Sequence, residues 1–236
     1  MHLRILLYPG FDELDAIGPF EVLSMAVRRI AALRANDRPA SSPWSVELAS
    51  IDGAREIRAS NGLRVGIDPA PMSGAPTEGP GGSAATAPRT SPDVLLVPGG
   101  GWVDRSRIGA WSEFERGDGA GTVAHEVRRE IDRGAVVASV CTGAMLLARA
   151  GVLRGRRCIT HHAAIDDLAA FGAVIVRARV VDDGNIVTAG GVTSGIDLAL
   201  HLVSRFAGND LADGIAATLE YERRAASIPT SGTRDR

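Results

Sequence analysis

Runs with the composition of buried strands alternate with helical stretches along most of this chain, and that alternation limits the fold more than any single residue does. "LRILLY" (3–8) reads as a buried strand. A loop, "PGFDELDAIGP", leads from it into a helix with Phe20, Val22, Leu23, Ala26, Val27 and Ile30 on its apolar face. "WSVELAS" (44–50) is a second strand, and Asn61-Gly62 within 56–68 is a strong hairpin-turn signal. Strands are expected at 93–97, 135–140 and near 156–160, and helices near 122–133, 142–150 and 163–171. A hairpin with its turn at 182–185 follows, and helices at about 194–207 and 210–226 close the chain. The pattern predicts an α/β fold, a doubly wound, mostly parallel sheet with helices on both faces, as a three-layer sandwich.

Residues 72–92 interrupt the pattern: 18 of these 21 positions are Gly, Pro, Ser, Thr or Ala. So little apolar bulk cannot offset the entropy of ordering a chain, which predicts a disordered insertion within one domain spanning 1–226. The polar tail at 227–236 is expected to be disordered too.

Composition removes several function classes. All 26 basic residues are arginine, which excludes a Schiff-base lysine and a phosphate loop ending in Gly-Lys-Ser/Thr. A net charge of −2 with scattered arginines gives no basic stripe, so no nucleic-acid partner is expected. There is no apolar run of 18 residues and no cleavable leader, so the expectation is a cytoplasmic protein with no membrane partner. Cys141 and Cys158 allow at most one disulfide and are expected to stay reduced.

In a doubly wound sheet, ligands lie beyond the carboxyl ends of the strands. The residues standing there are Asp15, the Gly99–Gly101 run, Cys141 with Thr142, and His161. Cys141 lies between a buried strand and a helix, where backbone amides and the helix dipole are expected to lower a thiol's pKa toward neutrality. Free cysteine is also a common small core residue, so position alone leaves both readings open. The amides of Gly100 and Thr142 offer an oxyanion hole. Asp15, in an acidic loop with Asp12 and Glu13, reads on position alone more readily as a helix cap or part of a solvated charge run than as a catalytic group. His161 and His162 on an extended chain would point to opposite faces, giving one histidine per site and no metal site. Asp197 and His201, four residues apart, read as a surface ion pair.

Four segments carry a resemblance: "YPGFDELDAIGPFEVLS" (8–24), "DVLLVPGGG" (93–101), "SVCTGAMLLARAGVLRGRRCITHHAAIDDL" (139–168) and "VVDDGNIVTAGGVTSGIDLALHL" (180–202). Together they resemble the ThiJ/PfpI superfamily, and within it the isonitrile hydratase-like branch. The resemblance implies a flavodoxin-like, class I glutamine amidotransferase-like fold, usually a homodimer, acting on a small-molecule substrate without a cofactor. It implies that Cys141 is the nucleophile, Thr142 its following threonine, and Asp15, in the Asp-x-x-Gly-Pro segment with Gly18, the carboxylate near the thiol. Gly100, Gly101, Gly18, His161 and His162 are then candidates for oxyanion and substrate binding. The branch carries Thr-His-Trp where this chain has Thr160-His161-His162, a difference that bears on substrate preference.

The implied reaction is hydration of an isonitrile to an N-substituted formamide through a thioimidate on Cys141. The alternatives are peptidase-, glyoxalase- or deglycase-like chemistry, which needs His161 as base to Cys141, and a ligand- or redox-sensing domain. Regulators that resemble the chain continue into a helix-turn-helix region, whereas only about 30 residues follow "LHLVSRFAG" here.

Overall fold

Six strands form the central sheet of the computed structural model, which describes residues 1–34, 44–67, 91–224 and 226. In chain order the elements are β1 (His2–Leu7), α1 (Glu13–Arg34), β2 (Ser45–Ser50), β3 (Glu56–Arg58), β4 (Arg64–Gly66) and β5 (Val94–Val97). Then come α2 (Ala110–Glu115), α3 (Val123–Asp132), β6 (Val136–Val140), α4 (Gly143–Arg149), β7 (Arg157–Cys158), α5 (Ile165–Ala170) and β8 (Val174–Ile175). The chain continues through β9 (Val180–Asp182), β10 (Ile186–Ala189), α6 (Ser194–Ala207) and α7 (Asn209–Thr218).

The sheet order is β2-β1-β5-β6-β10-β9, parallel throughout except for the antiparallel edge strand β9. Helices α1, α6 and α7 pack together as one layer, and α2 to α5 supply the other. This is the predicted mostly parallel, doubly wound arrangement. Its strand order reverses direction at β1, since β2 lies on one side and β5 on the other. A crevice therefore opens beyond the carboxyl ends of β1 and β5. The central strands carry Leu, Ile and Val on both faces because helices cover both, and Ile5, Leu95 and Val137 are wholly buried.

Several expectations change. The segment 9–19 is not all loop, because α1 begins at Glu13 and holds Asp15 in its first turn. Pro19 sits inside that helix and lacks the N–H that would bond the Asp15 carbonyl. The strand near 156–160 is only Arg157–Cys158 and leaves the main sheet to pair with β8. The last helix stops at Thr218 rather than 226, and α2 was not anticipated. The hairpins at Asn61-Gly62 and 182–185 form as read, with Gly62 at φ +101°. The insertion assigned to 72–92 lies outside the described residues except for 91 and 92, and the 227–236 tail lies wholly outside them. Among the described residues, no helix is long and apolar enough to cross a membrane.

Helix α3 turns acids inward. Thr122 caps it by accepting the His125 amide at 3.2 Å, while Glu126 and Glu130, one turn apart, are buried. Arg129 bonds both carboxylates, and Arg4 of β1, paired at 2.5 Å with Glu47 of the neighbouring strand, adds a positive charge. Burial nevertheless pushes the Glu126 carboxyl up to about 7, against the pull of Arg129 and with a further push from Glu130. A carboxyl raised above its ordinary 4.5 is protonated preferentially in the folded state. Its contribution to stability is full below pH 4.5 and is lost as pH rises through 7. Urea midpoints measured at pH 5 and pH 8 are expected to fall across this range, and Glu126→Gln to lessen that fall.

Candidate active site

Three strand ends meet at Cys141. The residue sits at φ +56°, in the left-handed region that non-glycine residues rarely occupy. Its N–H is shared between the carbonyls of Gly190 (2.8 Å) and Ala189 (3.1 Å), and its C=O accepts the Thr160 hydroxyl at 2.9 Å. These bonds hold the turn from β6 into α4 that presents the side chain.

Gly99 presses its backbone on that turn, while Gly100 and Gly101, at φ +119° and +65°, lie against Gly10–Asp12 and Ile108. A Cβ on Gly99 would lie 2.5 Å from the Thr142 nitrogen and 2.6 Å from its hydroxyl oxygen. A Cβ on Gly143 would lie 2.3 Å from the Val97 carbonyl. No side chain fits at either position. The loop is also tied to the end of β1: the Asp12 N–H donates to the Gly99 carbonyl (2.8 Å), and the Tyr8 hydroxyl donates to the Pro98 carbonyl (2.5 Å).

Asp15 is fully buried behind this turn and accepts the Gly99 N–H on Oδ2 at 2.9 Å. Its other oxygen, Oδ1, has no hydrogen-bond partner among protein groups. Burial pushes this carboxyl well above the usual carboxylate range, Asp12 adds to the push, and the Gly99 amide and the Cys141 side chain oppose it. The Cys141 thiol moves the same way, raised well above its ordinary value by burial and then by the Asp15 charge, while the Thr142 N–H and hydroxyl pull it back. The lowered thiol pKa expected from a helix N-terminus is therefore reversed. The reason is that α4 has seven residues and its dipole acts against near-complete burial beside an acid. Two acids so placed lose their protons as a pair, one at a time.

The thiol opens on a cleft of about 270 Å³. Of the expected site residues, Cys141, Thr142, Gly100, Gly101 and His161 line it, and Asp15 stands behind the thiol. Gly18 does not line it. Gly18 lies where α1 meets α6, its Cβ position 3.4 Å from Ile196, and serves helix packing. His162 is exposed and outside the cleft, and its ring centroid is 4.2 Å from that of His161. The two rings are thus not on opposite faces, because the chain turns into a 3₁₀ helix at His162 instead of continuing extended. The Gly100 amide, expected to serve as a free oxyanion donor, is occupied by the Thr142 hydroxyl oxygen at 3.0 Å.

His161 Nδ1 accepts the Ala163 N–H at 3.3 Å, which places the proton of the neutral ring on Nε2. Burial and the neighbouring His162 lower its pKa, so this ring faces the cleft as a hydrogen-bond donor rather than a base. Asp197 and His201 do not pair: buried Asp197 takes Arg179 (2.6 Å) and Tyr221 (2.9 Å), and His201 takes Asp182 (2.7 Å). Among the described residues, no group of three His, Cys, Asp or Glu side chains gathers to hold a metal.

Sequence reasoning passed over Asp12, Trp102, Val103, Asp104 and Val192, all of which line the cleft. Val192 follows β10 and was open to the same strand-end rule. Trp102 is held by its indole N–H, which donates to Asp167 of α5 at 2.6 Å, and by edge contacts with Trp111 and Phe114. Aromatics scattered over two elements carry no periodic signal.

Residues 1–205 match the sequence model of the DJ-1/PfpI family. The chain belongs to the DJ-1/PfpI family. An isonitrile hydratase of Pseudomonas putida is 41% identical over 224 residues, covering 94% of this chain and 78% of that protein. The HTH-type transcriptional regulator GbdR of Pseudomonas aeruginosa is 28% identical over 216 residues, and the chain spans 50% of its length. The crystal structure of a ThiJ/PfpI family protein from Pseudomonas syringae shares the fold, with a TM-score of 0.71 at 24% identity over 95% of this chain and 76% of that one.

The close backbone approach makes a direct prediction for this DJ-1/PfpI chain. Gly99→Ala is expected to lower stability by about 2 kcal/mol or more by forcing the loop off the Cys141 turn, as read from a denaturant midpoint. It is also expected to change the rate of Cys141 alkylation by iodoacetamide at least about tenfold, since a 1 Å misplacement at a reacting centre has effects of this size or larger.

Proposed function

We propose that this chain is a cysteine-dependent hydratase that converts an isonitrile into an N-substituted formamide. The observation that carries the reading is the buried Asp15 carboxyl beside the Cys141 thiol, with one oxygen free of protein partners. The 41% identity to an isonitrile hydratase supports the substrate class.

In the scheme, Asp15 accepts the thiol proton and the sulfur adds to the terminal carbon of the isonitrile. Asp15 returns the proton to that same carbon, giving a thioimidate, S–CH=N–R. Water then adds to the carbon, its proton passing to nitrogen through Asp15. The tetrahedral adduct collapses, the C–S bond breaks, and the hydroxyl proton returns to the Asp15–Cys141 pair. One water is consumed, carbon and sulfur end as formamide and free thiol, and no electrons are exchanged with another partner. The Thr142 N–H and hydroxyl stabilise the sulfur while it is negative, and the Nε2–H of His161 is available to the substrate.

Placing Asp15 beside Cys141 suits a reaction in which the same proton leaves sulfur and reaches carbon. A histidine-base mechanism has less support, because His161 spends Nδ1 on the Ala163 amide, which leaves the ring proton on Nε2. The similarity to a transcriptional regulator favours a second reading, a ligand-sensing domain without turnover.

Formamide formation from a simple alkyl isonitrile, followed by NMR, tests the proposal. Cys141→Ala is expected to abolish it and Asp15→Asn to lower it at least about 100-fold. Asp15→Asn also removes the charge that raises the thiol, so alkylation of Cys141 is expected to shift to lower pH even as hydration is lost. Absence of formamide with the wild-type chain would favour the sensing domain.

A further inference from the structure

The charges around the cleft are one-sided. Asp12 and Asp104 line it, and among the described residues none of the arginines does, in a chain with 26 of them. Arg105, on the same loop, lies over the Trp102 ring, 5.3 Å from its centroid, with its charge facing Asp167. Its guanidinium stacks 3.8 Å from the Trp111 ring centroid and lies 3.5 Å from Asp167. His161, the remaining basic side chain of the lining, presents a neutral ring.

The two carboxylates sit at different depths. Asp104 is exposed at the rim, beside Val103, which is 61% exposed. Asp12 is half-buried and accepts the Leu14 N–H on Oδ1 at 3.2 Å as the cap of α1. Trp102 and Val192 give the same lining its apolar wall. Deeper still, the buried Asp15 leaves Oδ1 unpartnered. A molecule that reaches Cys141 therefore meets carboxylates and apolar wall in the lining, and Arg105 beside that wall already faces Asp167.

We propose that this cleft selects organic cations over anions at Cys141, with Asp104 and Asp12 as the selecting groups. The substrate class is an isonitrile whose nitrogen bears an apolar body ending in an ammonium group. The body lies along Trp102 and Val192, and the ammonium lies at Asp104 and Asp12. The substrate part of this inference rests on the hydratase reading; the charge preference does not.

Two measurements separate them. The first is the rate at which Cys141 forms a mixed disulfide with a cationic reagent, 2-(trimethylammonium)ethyl methanethiosulfonate, and with its anionic counterpart, the 2-sulfonatoethyl reagent. Each rate is divided by the rate with 2-mercaptoethanol, and labelling is located by mass spectrometry. Cys158 is fully buried, and a Cys141→Ala chain reports any reaction there. The wild-type chain is expected to prefer the cation at least about fivefold, as one or two carboxylates in partly screened surroundings would give. Asp104→Asn is expected to reduce that preference about threefold. Asp12→Asn, which keeps the cap, is expected to reduce it further in combination.

Equal reactivity in the wild type, a preference unchanged by both substitutions, or failure of both reagents to reach Cys141 would overturn the proposal. The second measurement is hydration of an ammonium-bearing and a carboxylate-bearing isonitrile of equal length. Faster formamide formation from the ammonium compound supports both readings. Cation-selective labelling with no formamide from either compound leaves charge selection standing and removes the hydratase. Turnover of both at equal rates, with unselective labelling, does the reverse.

Discussion

The contact on which the site depends is between two stretches of backbone, Pro98–Gly101 and Cys141–Gly143. They approach so closely that a single methyl on Gly99 or Gly143 would lie less than 3 Å from main-chain atoms. Because the loop lies against the turn, its amides and carbonyls can be spent on neighbours. The Gly99 N–H goes to Asp15, the Gly99 carbonyl to Asp12, and the Gly100 N–H to Thr142. The ends of β1, β5 and β6 are thereby joined in one network, and Cys141 is held in a left-handed conformation that its own side chain disfavours.

That network also settles the electrostatics. A short helix N-terminus stabilises an anion by up to about 1 kcal/mol near the surface, whereas removing a charged group from water costs several kcal/mol. With Asp15 fully buried and Cys141 nearly so, desolvation wins for both acids. The result is a carboxyl and a thiol that each favour their protonated form, rather than a thiol permanently ionised. For chemistry that moves a proton from sulfur to the atom the sulfur attacks, such a pair is suited in a way a standing thiolate is not.

Much of the fold was legible because burial on both faces leaves continuous apolar runs in β1, β5 and β6, and because Asn61-Gly62 needs a positive φ that few residues supply. The strand-end rule likewise brought Cys141, Asp15 and His161 together. Other features were not legible for physical reasons. A two-residue strand such as Arg157–Cys158 carries no period, so nothing in it said that it would pair with β8 outside the main sheet. Gly18 and Gly99 look alike as letters, yet one relieves a helix crossing and the other a main-chain contact. Spacing placed Asp197 and His201 on one helical face but could not say that Arg179 and Asp182, from a different part of the chain, would claim them. The expected fall in the Cys141 pKa failed because sequence reveals a helix start but not how deeply it is buried.

Floor and rim of the cleft are held by different kinds of interaction. The floor rests on backbone bonds and on glycines, so nearly every change there disturbs the reacting groups. The wall and rim are built from side chains on one loop and two helices: Trp102 bonded to Asp167 of α5, Arg105 stacked on Trp111 of α2 with its backbone at φ +51°, and Asp104 exposed. Substituting these side chains reshapes what the cleft admits without touching the contacts between Gly99, Thr142 and Asp15. Reactivity and selectivity are therefore separable in this architecture, and a fold that keeps its floor can change what its cleft admits by replacing a handful of rim residues.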